Sequence, residues 1–93
     1  MTISIVQIDQ NYFEATVSSS ITTKHKIKVS NEAHLKYTGG TISKEQLVTK
    51  AFLFLLRKEA NTSIHEEFRI EEIETFFPEF KNFERMDWVD LTV

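Results

Sequence analysis

The stretch from Ser43 to Glu59, SKEQLVTKAFLFLLRKE, constrains the fold of this chain more than any other. Ser43 is a good helix N-cap, and Gln46 stands three residues on, the spacing of a capping box. Leu47, Ala51 and Leu55 form one row along the helix, and Val48, Phe52 and Leu56 form the next. Together they make an amphipathic stripe. Leu53 and Phe54 fall outside that stripe and are apolar as well, so the helix needs cover on more than one side. The run Ala51 to Leu56 is far too short to span a bilayer, which takes about 20 apolar residues. The covering layers are therefore protein: a sheet on one side, and on the other either the C-terminal segment or a second subunit. Arg57 and Lys58 suit the negative end of the helix dipole, and Asn61 is the expected stop.

A length of 93 residues predicts a single domain, 1–93, built on one core. The eight phenylalanines cluster in the second half and mark a packing composition rather than a disordered one. Cysteine is absent, which excludes disulfides and thiolate zinc sites and fits a reducing cytoplasm. The opening residues, MTISIVQID, lack a basic region followed by a long apolar run, so neither a signal peptide nor a membrane span is expected. The net charge of −3 hides a split. Residues 1–60 hold eight Lys/Arg against five Asp/Glu, whereas residues 61–93 hold three against nine. Either the two halves attract each other within the fold, or the basic half offers a surface to an acidic partner.

Ahead of the helix the pattern is that of strands. Ile3, Ile5, Val6 and Ile8 are strand-like, and the Ile5–Val6 step breaks alternation in the way a bulge or a strand buried on both faces would. Asp9-Gln10-Asn11 is a turn. Phe13, Ala15 and Val17 then alternate with Tyr12, Glu14, Thr16 and Ser18, the period of a half-buried strand. After the loop Ser18-Ser19-Ser20, the residues Ile21, His25, Ile27 and Val29 share one parity, and Lys24, Lys26 and Lys28 share the other. Short links make an antiparallel meander over 1–30 the economical topology.

The remainder, 31–93, is expected to be mostly helical. Ser30 or Asn31 caps a short turn over Glu32 to Tyr37, ended by Thr38-Gly39-Gly40. Ser63 and Glu66 repeat the capping-box spacing beside Ile64, Glu67 and Phe68. A helix follows over about Ile70 to Phe77, with Ile70, Ile73, Phe76 and Phe77 facing inward and Glu71, Glu72 and Glu74 facing solvent. Pro78 stops or redirects it, and Glu79 to Met86 can form one more short helix. The tail from Asp87 to Val93, with Trp88, Val89, Leu91 and Val93, is apolar enough to be docked in this subunit or a neighbour. The fold class is thus α+β: an N-terminal three-stranded, mostly antiparallel sheet packed on one long central helix, with short C-terminal helices over that helix.

Chemistry leaves little trace in the sequence. His25, His34 and His65 fall on separate elements without metal-ligand spacing. Glu66-Glu67, Glu71-Glu72 and Glu74 have the pattern of solvated helix faces and helix N-termini, which suit carboxylates without catalysis. No Gly-x-Ser-x-Gly elbow or phosphate loop occurs. No catalytic, cofactor or metal residues are assigned, and a non-enzymatic chain is expected. Lys24, Lys26 and Lys28, on one face of one strand, form the most notable surface. They are either a solvated sheet face or a contact for phosphates or an acidic partner.

Residues 24–59, a strand with alternate polar residues, a first helix, a glycine turn and a capped second helix, resemble a ribbon-helix-helix DNA-binding unit. That resemblance implies Lys24, Lys26 and Lys28 facing the major groove of DNA, with Ser43 near a phosphate. The stretch Leu35–Phe80 also resembles a set of small uncharacterised bacterial proteins. It shares Thr38-Gly39-Gly40, the helix start Ser43 to Leu47, the run Phe52 to Leu56, the pair Ser63-Ile64 and the ending Phe77 to Phe80. This second resemblance implies a shared architecture and no particular activity. The expected function is a small cytoplasmic binding or regulatory module, with a homodimer as one partner. The alternative is nucleic-acid binding through the lysine face.

Overall fold

The computed structural model describes residues 2–85 and contains one sheet and three α-helices. Three strands come first: β1 (Thr2–Gln7), β2 (Tyr12–Ser18) and β3 (Thr23–Lys28). They form the expected antiparallel meander, with Ile5 opposite Ala15 and Ala15 opposite His25. Two helices follow, α1 (Asn31–Thr38) and α2 (Lys44–Lys58). A 3₁₀ turn at Asn61–Ser63 leads into a short strand, β4 (Glu67–Arg69), and then α3 (Glu72–Phe76). The described chain closes on a 3₁₀ segment, Pro78–Arg85, kinked at Asn82.

The sheet order is β1-β2-β3-β4, and β4 runs parallel to β3. The class is α+β as expected, but the sheet is four-stranded and mixed rather than three-stranded. A parallel pair needs a crossover, and α1 with α2 supplies it. The capping-box spacing of Ser63 and Glu66 does not start a helix. Instead the Lys26 N–H bonds the Glu66 carbonyl at 2.7 Å, and the Ile70 N–H bonds the Lys28 carbonyl at 3.0 Å. The open edge of β3 thus takes up residues 66–70, and those tertiary bonds outweigh a local helical preference.

Helix ends follow the local chemistry closely. The Ser30 hydroxyl accepts from the Ala33 N–H at 3.1 Å, and Gly39 ends α1 with φ 62°. At α2 both bonds of the capping box form, Gln46 N–H to Ser43 Oγ at 3.1 Å and Ser43 N–H to Gln46 Oε1 at 3.0 Å. Three boundaries differ from expectation. The helix foreseen over 70–77 is only Glu72–Phe76, because Ile70 belongs to the β4 pairing. Ile21 lies outside β3 and is exposed. The Ile5–Val6 step carries no bulge: β1 keeps register throughout, and Val6 simply points to the uncovered face. The end of the last expected helix, at Met86, and the tail from Asp87 lie outside the described residues.

The core has two layers on either side of α2. Phe13, Ala15, Val17, His25 and Ile27 project from one face of the sheet and are buried. Leu47, Val48, Ala51 and Phe52 are buried from α2. On another flank of the helix, Phe54 meets Phe77 at 5.9 Å and Phe80 at 5.5 Å between ring centroids. Phe80 in turn meets Tyr37 at 5.0 Å. Of the two covers open to the apolar helix, the C-terminal segment takes this position. Each fully buried large side chain contributes about 1.5–3 kcal/mol, so Phe52 and Phe80, on opposing sides of the sandwich, are among its main ties.

Candidate binding cleft and the lysine face

A cleft of about 300 Å³ opens where the end of α2, the segment 63–68 and α3 converge. Leu55, Ile64, Phe68, Ile73 and Phe77 form its apolar floor, and Glu59, Ser63, His65, Glu72 and Phe76 form its rim. The volume lies at the small end of ligand pockets and suits one or two apolar side chains. Phe76 is 61% exposed, although its place in the 70–77 pattern had put it on the inner face. The ring stands at the C-terminal end of α3 and faces outward. There it sits edge-on to His65, with centroids 5.6 Å apart.

Hydrogen bonds to the sheet hold the rim. The His25 Nδ1–H donates to the His65 carbonyl at 2.8 Å. A carbonyl can only accept, so this nitrogen carries a proton, and Nε2 forms the second bond, to the Thr23 hydroxyl, also at 2.8 Å. The Thr23 oxygen accepts in turn from the buried Asn61 side chain at 2.9 Å, which also donates to the Ile21 carbonyl at 2.9 Å. The chain Asn61–Thr23–His25–His65 thereby links the 3₁₀ turn, β3 and the cleft. His25, on the apolar parity of its strand as expected, is buried there with its ring centroid 5.3 Å from that of Phe52. On the opposite rim, Glu72 accepts from the Arg69 N–H at 2.8 Å and lies 3.6 Å from Arg69 Nε.

Behind the cleft α3 is tied to α1. The buried Tyr37 hydroxyl donates to Glu74 Oε1 at 3.0 Å, and Lys36 Nζ lies 3.2 Å from the same oxygen. Burial, and then the bond to Glu74, push the Tyr37 phenol well above its usual range. The Lys36 and Tyr37 bonds hold the Glu74 carboxyl below its usual range. Glu74 is therefore a structural partner and not part of a purely solvated face.

Lys24, Lys26 and Lys28 project from the outer face of the sheet, which no helix among the described residues covers. Lys24 and Lys26 are exposed and Lys28 is half-buried. Their cross-strand neighbours are Thr16, Glu14 and Tyr12 on β2, with Glu67 and Arg69 beside Lys26 and Lys28 on β4. Lys26 lies 4.0 Å from Glu67, and both Lys26 and Lys28 stand over the Tyr12 ring, at 4.8 and 6.0 Å. The row is thus continuous but interleaved with carboxylates, and the ring face of Tyr12 is covered by cations rather than open for stacking.

Among the described residues, no group of three or more His, Asp or Glu side chains could hold a metal ion. No helix among them is long and apolar enough to cross a membrane. Comparisons with protein-family models, with curated proteins and with solved structures gave no match. Nothing in those comparisons points to catalysis. Sequence reasoning missed the cleft itself. Its one local signal is the apolar set Ile64, Phe68, Ile73 and Phe77, which becomes a floor only when β4 lies beside β3.

Proposed function

We propose that this chain is a non-enzymatic binding module of the cytoplasm. Its cleft takes an apolar side chain presented by a protein partner with adjacent Lys or Arg. The supporting observation is the exposed Phe76 ring at the mouth of an apolar floor rimmed by Glu59 and Glu72. An exposed aromatic ring beside a small apolar hollow favours a partner's apolar side chain. The excess of carboxylates in 61–93 steers basic sequences toward it.

A titration followed by amide and methyl NMR tests this. The probes are short peptides with a central Phe or Leu flanked by Lys, and the same peptides flanked by Glu. Lys-flanked peptides are expected to shift Ile64, Phe68 and Ile73. Equal response to the Glu-flanked set, or no response to either, would overturn the reading.

Nucleic-acid binding through Lys24, Lys26 and Lys28 is the second reading, favoured by the addition of Arg69 to the same uncovered face. It requires binding to duplex DNA that weakens steeply as salt rises. The carboxylates of Glu14 and Glu67 within the row speak against it.

A further inference from the structure

The two edges of the sheet are built differently. The β4 edge is short, and its strand residues Glu67 and Arg69 are charged and exposed. Both are devices that discourage pairing with another strand. The β1 edge has neither. From Thr2 to Ile8 the sequence TISIVQI has no charged residue and no proline, and Val6 and Ile8 are 57% and 52% exposed.

Register shows which backbone groups this edge offers. The Ile8 N–H bonds the Tyr12 carbonyl at 2.9 Å, continuing the β1–β2 pairing. Hydrogen-bonded pairs alternate along an antiparallel ladder. Thr2, Ser4, Val6 and Ile8 therefore turn their N–H and C=O groups toward β2. Ile3, Ile5 and Gln7 turn theirs outward, to an edge that no other strand among the described residues pairs.

We propose that β1 pairs antiparallel with β1 of a second copy of this chain, joining the two sheets into one. A two-fold axis that sets Ile5 opposite Ile5 of the second copy places Ile3 opposite Gln7. Every outward N–H and C=O of Ile3, Ile5 and Gln7 then finds a partner. This register keeps side chains on matching faces, as sheet pairing requires. On the outer face Ser4 comes opposite Val6, and Thr2 comes level with Ile8, so the exposed apolar residues gain neighbours. The strand carries no charge, so the two-fold brings no like charges together, and an isologous contact of this kind closes as a dimer. A single strand pair falls short of the roughly 1,200–2,000 Å² of a standard stable interface. The dimer therefore forms in a concentration-dependent way rather than being obligate. This surface is separate from the cleft, and the inference stands without it.

The test combines sedimentation equilibrium, from low micromolar to near-millimolar protein, with residue-resolved amide exchange. Expected is a monomer–dimer equilibrium in which the Ile3, Ile5 and Gln7 amides slow as concentration rises. Ser4 and Val6 amides, bonded within the subunit, stay protected throughout. Val6→Lys places a cation on the exposed outer face beside Glu14, which the monomer tolerates. It weakens dimerisation by about threefold, since the apolar contact Val6 gains at the seam is lost. Ile5→Pro removes an outward N–H that the monomer does not use and abolishes the dimer. Ile21→Lys, equally exposed but off the edge, leaves it intact. A wild-type chain that stays monomeric overturns the proposal. So does a dimer whose Ile3, Ile5 and Gln7 amides remain fast, or a folded I5P chain that dimerises as well as wild type.

Discussion

The buried imidazole of His25 bonds the backbone carbonyl of His65, 40 residues away in sequence, across 2.8 Å. It is a single bond between the floor of the sheet and the rim of the cleft. Through Thr23 and Asn61 it belongs to a fully satisfied polar chain inside an apolar core. Such chains are costly to break partway, because each remaining member loses its partner.

His25→Ala removes the ring that both satisfies that carbonyl and packs on Phe52. The expected loss is about 3 kcal/mol, from an unsatisfied polar group together with lost ring burial. Urea denaturation measures it. Amide exchange should show the Lys26–Glu66 and Lys28–Ile70 pairings opening ahead of the β1–β2 ladder. Uniform opening of the whole sheet would count against a local role.

Phe76→Ala separates binding from stability. The ring is mostly exposed, and surface changes usually stay within about 0.5 kcal/mol. Thermal unfolding should hardly move, whereas the response to Lys-flanked apolar peptides should fall several-fold. A large drop in stability would make Phe76 a packing residue and remove the main support for the cleft reading.

The Tyr37–Glu74 pair sets the expected pH dependence. Glu74 titrates below its ordinary value of 4.5 in the fold, so its contribution is present above that pH and is lost as acid protonates it. Tyr37 holds its proton more tightly when folded than at its ordinary value of 10.0. Its contribution is therefore complete below that pH and declines as pH rises above it. Stability profiles of Tyr37→Phe and Glu74→Gln check this. The first should flatten the alkaline limb and the second the acid limb. Unchanged limbs would mean that other groups dominate.

Gly39 ends α1 at φ 62° with its N–H on the Leu35 carbonyl at 2.9 Å. A side chain in that left-handed conformation costs about 1–2 kcal/mol. Gly39→Ala should lower the denaturation midpoint by that amount without altering the peptide response. A neutral result would mean that the turn can rearrange.

Local chemistry written into the chain decided the helix caps, the parity of β2 and β3 and the lysine row. Each rests on residues within a few positions of one another: Ser43 with Gln46, Phe13 with Ala15 and Val17, Lys24 with Lys26 and Lys28. The need of α2 for cover on a second side was also legible, because Phe54 cannot be left in water. Tertiary structure decided what residues 61–77 become. The spacing of Ser63 and Glu66 favours a helix start, but the unpaired edge of β3 offers those residues better partners and the Asn61 side chain ties the preceding turn to Ile21 and Thr23, so they extend. That choice creates β4, shortens α3 and forms the cleft between them. No local pattern could announce it, because the bonds that select it join residues about 40 positions apart. Their free energy appears only when the sheet is already in place.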